Sequence, residues 1–528
     1  MTGDAPAAPT KLNRRLAILL AMAMFVLVVD TSIMNVSISA VVRDLDTTAS
    51  GVQGAIALEA LVSAAFILIG GKVGDLIGRK RAYAFGLIGY AVGAIAMTLA
   101  QGLTAIIVFW AIIGGIGASL LLPAMQSLIH GNFAGDHQKR VYALVGAAAA
   151  IAAAVGPLLG GVITTFLSWR VGFLLEAIII AVVLIGLPLV RDVPHTGDRS
   201  IDLVGAALSV IGMGGVVLGI LVWQEGGGYV GLIIGLGVVA LGGLAMWLRR
   251  RHRAGKPVLL DPDLFRSKLF RTGVSGQLLQ QIALGGTMIV LPLYLQMVLE
   301  YNALLAGLSI APLSLSMFAV AIVAGRRAKG RPANLILTGF VLAATGLVIL
   351  EPIIPIATSG WFLTVPLVIA GSGLGLLVSQ LNNYTLSPIS DERVSEAAGV
   401  NSAAGSFGLS FGLAFAGAIM LAMLSASFTS LVAQSEVLAA DEQERVAAVL
   451  EQDAQLVSNT ALTELLEDAS PEAADEIIRI NTEARPLALQ IALLVPILSA
   501  GVGVLNGLRM RRLPDPRASQ GAEGMLPG

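Results

Sequence analysis

Three acidic residues stand inside long apolar stretches of the sequence, where charged side chains are rare. They are Asp30, Glu59 and Glu176. A charge in an apolar interior is costly, so such residues are functional candidates by default. A carboxyl group in a medium of low dielectric constant binds a proton more readily than in water. A proton and a cationic solute could therefore compete for one carboxylate; the alternative is a permanently protonated acid that only joins two helices.

Polar and aromatic residues of the apolar stretches form a second set of candidates, because they could line a solute cavity. The aromatic and methionine side chains are candidate walls for an apolar substrate. The amide side chains could bind polar groups of a solute, or could equally join helices by hydrogen bonds. The set comprises Met34, Asn35, Trp110, Gln280, Gln281, Tyr294, Gln296, Gln380 and Asn383.

Several common chemistries are missing from the sequence. It has no cysteine, which excludes a disulfide framework, a thiolate metal site and a cysteine nucleophile. No G-x-x-x-x-G-K-[ST] loop is present, so there is no ATP motor of that type. The four histidines, His130, His137, His195 and His252, all fall in predicted loops. We therefore expect no cofactor, no metal site, no nucleic-acid partner and no enzymatic activity.

The overall composition places the candidate residues in a membrane. Of 528 residues, 56% are hydrophobic and 13% are charged, and the mean hydropathy is +0.84. Soluble domains carry about 25% charged residues. This chain has too little polar surface to cover a soluble globular fold. Its near-neutral balance of 33 basic and 34 acidic residues indicates no partner by itself.

Fourteen apolar stretches are long enough to cross a bilayer. A helical span needs roughly 20 apolar residues, and continuous stretches favour helices over the alternating strands of a barrel. The first stretch is too long for a signal peptide and lacks a cleavage-site pattern, so we interpret it as an uncleaved span. The predicted spans are 17–41, 51–70, 82–101, 104–128, 141–165, 171–190, 203–223, 229–248, 272–299, 303–324, 334–351, 360–386, 397–425 and 487–508.

The basic residues predict the orientation of these spans. Loops on one side hold only five of the 33 lysines and arginines, namely Arg43, Arg170, Arg445, Arg479 and Arg485. The loops that share a side with both termini hold the others. Because positively charged loops stay in the cytoplasm, we predict a multi-pass protein of the cell membrane with both termini in the cytoplasm.

The longest polar stretch, residues 430–486, is then external, and it is strongly acidic. Apolar residues such as Val446, Leu450 and Leu462 recur in it at helical spacing. One interpretation is a solvated helical hairpin. The other is an acidic lip that attracts cations or contacts the cell envelope.

A loop rich in glycine and arginine joins spans 2 and 3. Its glycines permit a tight connection, and its aspartate could bond a helix N-terminus or an arginine. Such a latch can hold one conformation and release in another; the alternative is an ordinary cytoplasmic loop. The candidate gate residues are Gly71, Gly74, Asp75, Gly78, Arg79, Lys80 and Arg81.

Span 5 carries a cluster of small residues and a proline. Small residues let helices approach closely, and a proline frees a backbone carbonyl and kinks the helix. We predict a close-packed, kinked helix, with packing alone as the alternative. The residues are Gly146, Gly156, Pro157, Gly160 and Gly161.

Three of these segments, in order, resemble signatures of one family. The loop at 71–81 is similar to the cytoplasmic loop signature of the major facilitator superfamily. Residues 29–36 (VDTSIMNV) resemble the first-span signature of its fourteen-span drug:proton antiporters, and residues 156–161 (GPLLGG) resemble their fifth-span signature. Residues 293–296 (LYLQ) and 399–402 (GVNS) look like the second half of the same group.

The resemblance implies two six-helix bundles with spans 7 and 8 as an inserted pair. The implied domains are 1–192, 193–256, 257–512 and a cytoplasmic tail, 513–528. The bundles would rock around a central site, driven by inward proton flow, with Asp30 as the acid that binds a proton or cation. Asp75 and Arg79 match the family's gate residues, and Gly156 and Pro157 match the kink that seals the bundle interface.

Three positions depart from the family pattern. Members usually carry an arginine and a glutamine in span 4, where this sequence has Ala111 and Gly114. Glu59 stands where a tyrosine is common, and Glu176 stands where an asparagine is common. We therefore hypothesise that Glu59 or Glu176 takes over part of the proton relay, or that the substrate differs from typical drugs.

The leading interpretation is a proton-coupled exporter of amphipathic, cationic drug-like compounds that functions as a monomer in membrane lipid. A second is export of a dedicated metabolite or lipid. A third, a non-transporting sensor or scaffold, predicts loss of the gate residues or an attached signalling domain, and the sequence shows neither.

Overall fold

The computed structural model describes residues 14–133, 135–192, 202–224, 226–327, 331–389, 393–435, 437, 459–466 and 470–514, and these residues form helices and connections without a strand. Two helices have π-helical neighbours: Ile106–Gly114 precedes α4, after a turn at Leu103–Ala105, and Tyr294–Val298 follows α9. The helices are α1 (Arg14–Asp44), α2 (Ala49–Ile77), α3 (Arg79–Leu99), α4 (Gly115–Asn132), α5 (Gly135–Phe166), α6 (Trp169–Ile185), α7 (Leu203–Gln224), α8 (Val230–Arg253), α9 (Lys268–Leu293), α10 (Ala303–Arg327), α11 (Pro332–Leu350), α12 (Thr364–Leu386), α13 (Val394–Ala433), α14 (Asn459–Leu465) and α15 (Pro471–Arg511).

Fourteen of these helices match the fourteen predicted spans. Thirteen helices are long and apolar enough to cross a membrane. The remaining one, α6, has 17 mostly apolar residues, which is at the short end for a span. The prediction of an all-α, fourteen-span membrane protein is therefore confirmed.

Helix starts follow from local capping chemistry. Thr48 begins α2 by accepting a hydrogen bond from the Gly51 amide at 2.9 Å. Ser470 does the same for the Ala473 amide at 3.3 Å, and Pro471 occupies the first helical position of α15. A side-chain oxygen that satisfies an unpaired amide, followed by proline, is favoured at a helix N-terminus.

The structure corrects two details of the sequence interpretation. His130, His137 and His252 lie on helices near their ends rather than in loops, and His195 lies outside the described residues. Within the segment 430–486, α13 continues to Ala433, a short helix follows at Asn459–Leu465, and α15 begins at Pro471. Most of the proposed hairpin lies outside the described residues.

The helices pack in two groups of six with a pair between them. In the first group, α1 packs on α5 and α6, and α4 packs on α2 and α3. In the second, α9 packs on α13 and α15, and α12 packs on α10 and α11. The groups meet where α2 packs on α13 and where α5 packs on α10. Helix α7 lies against both α2 and α13, and α8 lies against α7.

The buried apolar residues show where the two groups are joined. We call the side that carries Arg14 and Arg511 the terminal side. The largest apolar cluster unites both groups, for example Met34 with Leu291 and Ala306, and its residues from the first group lie in the half away from the termini. A second cluster, on the terminal side, contains residues of the first group, such as Leu20 and Leu128. The first group thus shares its apolar core with the second in the half opposite the termini, while Leu68 of α2 contacts the second group on the terminal side.

Candidate functional site: a buried carboxylate cluster

Asp30 lies in the middle of α1 and is 1% exposed. Its carboxylate accepts hydrogen bonds from three neutral donors. The Tyr90 hydroxyl of α3 donates to Oδ2, the Trp110 Nε1 donates to the same oxygen at 2.9 Å, and the Thr31 hydroxyl donates to Oδ1 at 3.0 Å. A buried carboxylate that is hydrogen-bonded but unpaired with a cation retains its affinity for a proton or a positively charged solute.

The other two intramembrane acids converge on Asp30. Glu59, on α2, and Glu176, on α6, each interact electrostatically with Asp30. Both carboxylate oxygens of Glu176 are buried without a hydrogen-bond partner. We call Asp30, Glu59 and Glu176 the acid cluster. Negative charges that interact in an apolar interior repel each other, which favours binding of a proton or a cation by the cluster.

Two aromatic residues define this site in ways the sequence did not show. Tyr90 was not a candidate, because nothing in its spacing distinguishes it from other apolar residues of its span. Trp110 was predicted as an apolar wall, but it is a hydrogen-bond donor to Asp30. The indole also packs edge to face against the ring of Phe173 of α6, with ring centroids 6.2 Å apart.

Trp110 belongs to the π-helical segment Ile106–Gly114, where a widened turn changes the direction of side chains. Such segments are frequent at functional sites. Ala111, at the position where the family usually has arginine, lies in the same segment and is fully buried. Among the described residues, no lysine or arginine forms an ion pair with the acid cluster.

The predicted gate loop forms a closed network on the terminal side. Asp75 pairs with Arg79, one of the two partners predicted for it, and Arg79 Nη1 donates to the Gly71 carbonyl at 3.1 Å. A Cβ on Gly74 would lie 3.0 Å from the same guanidinium. Arg81 is exposed. The network lies within the first helix group, and its action as a conformational latch stays a prediction.

One further residue fastens this loop. Asp192, which follows α6, accepts a hydrogen bond from the Lys80 amide at 2.9 Å. Gly78 has a φ of +96°, and a Cβ there would lie 2.8 Å from Asp192 Oδ2. The turn therefore requires glycine at this position. Asp192 lies far along the chain, and no local pattern marks it.

The glycines of α5 divide between two neighbours. A Cβ on Gly156 would lie 2.5 Å from Ser32, and one on Gly160 would lie 2.7 Å from Val36, both on α1. A Cβ on Gly161 would lie 2.6 Å from the Ala303 carbonyl at the start of α10. Pro157 faces α10 as well, where its carbonyl closely approaches Gly307. This stretch of α5 therefore packs closely on α1 of its own group and on α10 of the other group.

Gly146 behaves differently from the other α5 glycines. It is exposed, and a Cβ added there would meet no atom within 4 Å. The predicted close packing is therefore wrong for Gly146 in this conformation. It lies on the terminal half of α5, on a face of the helix that no other helix covers at this position.

Gln296 joins the two helix groups on the side opposite the termini. Its Oε1 accepts from the Ser39 amide at 3.0 Å and from the Ser39 hydroxyl at 2.7 Å, and its Nε2 donates to the Asn35 carbonyl at 3.3 Å. Nearby, the Leu304 amide of α10 donates to the Thr165 hydroxyl of α5 at 3.0 Å. Of the two roles left open for Gln296, lining a cavity or joining helices, the hydrogen bonds show the second.

The remaining cavity candidates differ in how deeply their side chains are buried. Met34 and Tyr294 are fully buried, and the Tyr294 hydroxyl donates to the Ala357 carbonyl at 2.9 Å, so in this conformation they are core residues. Gln280 is buried with an unpartnered Oε1, and Gln281 is half-buried against α13.

The last two cavity candidates lie on α12. Gln380 is buried, and its Nε2 donates to the Ser379 hydroxyl at 3.2 Å. Asn383 is exposed near the terminal side. Neither side chain contacts the acid cluster through the hydrogen bonds it makes.

The fold and the site define a multi-span membrane transporter with two helix groups and buried acids in the first of them. Residues 20–413 match the family model of the Major Facilitator Superfamily. The chain belongs to this superfamily, as the sequence resemblance predicted.

Proteins similar to this chain include transporters and resistance proteins. The chain is 26% identical to the "Probable actinorhodin transporter" of Streptomyces coelicolor over 526 residues, covering 93% of this chain and 90% of that protein. It is 28% identical to "Multidrug export protein EmrB" of Escherichia coli K12, covering 75% and 78%. It is 29% identical to "Puromycin resistance protein pur8" of Streptomyces alboniger, covering 72% and 76%.

A solved structure supports the same fold. A bacterial homologue of the human lysosomal transporter Spinster, in an inward-facing and unoccupied conformation, superimposes with a TM-score of 0.64. It is 13% identical and covers 97% of this chain and 100% of its own.

Proposed function

We propose that this protein is a proton-coupled exporter that exchanges amphipathic, cationic drug-like compounds for protons by alternating access. The observation that carries the proposal is Asp30, a buried acid in the middle of α1 with only neutral hydrogen-bond donors. A carboxylate in that setting binds either a proton or a cation, and competition between them couples the two flows.

The acid cluster supplies more than one site for positive charge. Glu59 and Glu176 sit close enough to Asp30 to interact with it, so uptake of a proton by one acid changes the affinity of the others. This supports the hypothesis that they take over the role of the arginine that the family usually carries at the position of Ala111. The inward proton gradient supplies ample energy, since one charge crossing 100 mV releases about 2.3 kcal/mol.

The orientation and domain boundaries complete the proposal. The basic loops support a cytoplasmic location for both termini in the cell membrane. The contacts on the opposite side, together with the exposed Gly146 face, support an inward-facing state. We assign the two bundles to residues 1–192 and 257–512, the inserted pair to 193–256, and the functional unit to a monomer surrounded by lipid.

The proposal is tested with purified protein in proteoliposomes carrying an imposed pH gradient. With tetraphenylphosphonium as the probe cation, we expect Asp30→Asn to reduce proton-driven transport at least about tenfold, because the variant keeps the shape but cannot bind a proton. The matched control is Glu472→Gln, an exposed acid at the start of α15, which should transport like the wild type. Equal transport by Asp30→Asn and wild type would overturn the proposal.

A dedicated exporter of one metabolite is the second candidate. It is favoured by the match with the "Probable actinorhodin transporter", which extends over 93% of this chain. A thermal-shift screen of lipophilic cations and of actinorhodin separates the two. Stabilisation by many unrelated cations supports the drug exporter, whereas stabilisation by one compound class supports the dedicated one.

A further inference from the structure

A charged network on the terminal side joins the inserted helix pair to the second bundle. His252 lies in the last turn of α8, the outer helix of the pair. Its imidazole is placed between two carboxylates of the connection to α9. Nδ1 lies 3.5 Å from Asp261 Oδ1, and Nε2 lies 3.3 Å from Asp263 Oδ2.

The two-sided placement depends on the charge of the ring. A neutral imidazole has one N–H, so one nitrogen would present its lone pair to a carboxylate. The imidazolium has two N–H groups and can donate to both acids. Histidine is also the side chain that ordinarily changes charge between pH 5 and 8. The contact between His252 and both acids is therefore favourable when the ring is protonated and weakens when it is neutral.

Asp261 transmits the contact to α13. Its Oδ2 pairs with Arg393 Nη2 at 2.5 Å, immediately before α13. Its backbone amide donates to Glu396 Oε1 at 2.6 Å, in the first turn of α13. One residue thus connects the end of α8 to the start of the helix that packs against α2 between the bundles.

The other charged groups near His252 have partners of their own. Arg251 Nε donates to the Pro257 carbonyl at 2.5 Å and lies 3.9 Å from Asp202 at the start of α7. Arg266 Nε lies 3.1 Å from Asp263 Oδ1. The neighbouring part of α2 contributes apolar contacts through Leu68. Among the described residues, His252 is the one histidine of this network, between carboxylates on two sides.

We propose that His252 is a pH-sensitive pin that fastens the inserted helix pair to the start of α13. When the His252 imidazole is protonated, α7 and α8 stabilise the contact between α2 and α13, and the bundles rock more slowly. When the imidazole is neutral, this stabilisation is weaker. Given the proposed function, the His252 side is cytoplasmic, so an acidified cytosol slows a transporter that would otherwise bring in more protons.

The pin is tested by a distance measurement that needs neither substrate nor proton gradient. The chain has no cysteine, so spin labels can be placed at Ala254→Cys, after α8, and Asn383→Cys, on α12. A label at position 383 reports on the movement of α13, because the Asn401 side chain of α13 donates a hydrogen bond to the neighbouring Asn382 at 3.2 Å. In nanodiscs, we expect a short distance when the pin is fastened and a long one when it is loosened. The ratio of the short-distance to the long-distance population should fall about three- to fivefold between pH 6 and pH 8, the size expected for partly exposed ion pairs.

Three variants separate the pin from other titrating groups. His252→Gln should show the long distance at both pH values, and His252→Arg the short distance at both. Asp263→Asn, which keeps the histidine but removes one partner, should show a smaller pH response. The matched control His137→Gln, on α5, should respond like the wild type. A full pH response in His252→Gln or an unchanged one in Asp263→Asn would overturn the proposal.

A transport measurement connects the pin to function. In proteoliposomes at a constant pH difference, wild-type transport should be faster at cytoplasmic-side pH 8 than at pH 6. In His252→Arg, whose acid cluster is unchanged, this pH dependence should be smaller, and an equal pH dependence in both proteins would overturn the link to transport. If no substrate is transported at all, the proposed function is wrong. The spin-label distances still test whether His252 fastens the helix pair to α13.

Discussion

The acid cluster shows how single residues acquire a role from their neighbours. Asp30 has ordinary chemistry, but burial removes water and leaves Tyr90, Trp110 and Thr31 as its donors. A hydrogen bond to a charged group contributes about 1.5–3 kcal/mol, more than one between neutral groups. The state of the carboxylate is thus set partly by aromatic side chains from α3 and from the segment before α4.

Tyr90 offers a direct test of this dependence. Tyr90→Phe removes one donor to Asp30 and preserves the ring, so we expect transport of the probe cation to fall about tenfold. The matched control is Tyr83→Phe on the same helix. Tyr83 is equally buried, but its hydroxyl has no hydrogen-bond partner, so transport and folding should be unchanged. Equal loss in both variants would show that general packing of α3, rather than the bond to Asp30, matters.

At the scale of helices, α5 joins the bundles through its small residues. The glycines at 156 and 160 admit α1, while Gly161 admits the start of α10. The kink expected at Pro157 coincides with the close approach of its carbonyl to Gly307. A helix that packs on both bundles controls how closely they meet on the side opposite the termini.

Substitutions on this one helix should have opposite effects. Gly161→Ala places a Cβ 2.6 Å from the Ala303 carbonyl, so we expect a lower unfolding temperature and weaker contact between the bundles. Gly146→Ala meets no atom within 4 Å and improves helix propensity by about 0.5–1 kcal/mol, so it should raise the unfolding temperature slightly. Thermal unfolding of both variants checks the prediction; a similar shift in both would contradict it.

At the scale of the whole molecule, transport by alternating access requires the bundles to separate on the side opposite the termini. Among the described residues, the hydrogen bonds that must break there include those of Gln296 with Ser39 and Asn35 and that of Leu304 with Thr165. These bonds are few and partly buried, so their loss is compatible with a conformational equilibrium rather than with unfolding.

A cross-link across this contact should stop the cycle. In the cysteine-free chain, Ser39→Cys with Gln296→Cys, joined by oxidation or a short cross-linker, should abolish transport, and reduction should restore it. The control pair is Ser37→Cys with Thr164→Cys. Their native hydroxyls lie 2.6 Å apart within the first bundle, so the cross-link should leave transport intact. Transport by the cross-linked double variant at positions 39 and 296 would contradict rocking of the bundles.

Span number, the candidate acids and the gate loop could be predicted because their signals are local. An apolar stretch of sufficient length must form a helix in lipid, and a charge within it stands out at once. The pairing of Asp75 with Arg79 is also local, since only the turn at Gly78 separates the end of α2 from the start of α3. The roles of Trp110 and Asp192 were not predicted, and that of Gln296 was left open between two alternatives, because their partners are 80 to 261 positions distant in the chain.

The sequence by itself determined that this chain is a fourteen-span membrane protein with three acids among its spans and a superfamily signature. Hydrophobicity, span length and the cost of an intramembrane charge depend on composition within one segment. Only the tertiary structure decided that the three acids converge, that Tyr90 and Trp110 bind Asp30, and that His252 meets two carboxylates. Those facts depend on which sides of the helices are in contact. These contacts are set by packing between segments far apart in the chain.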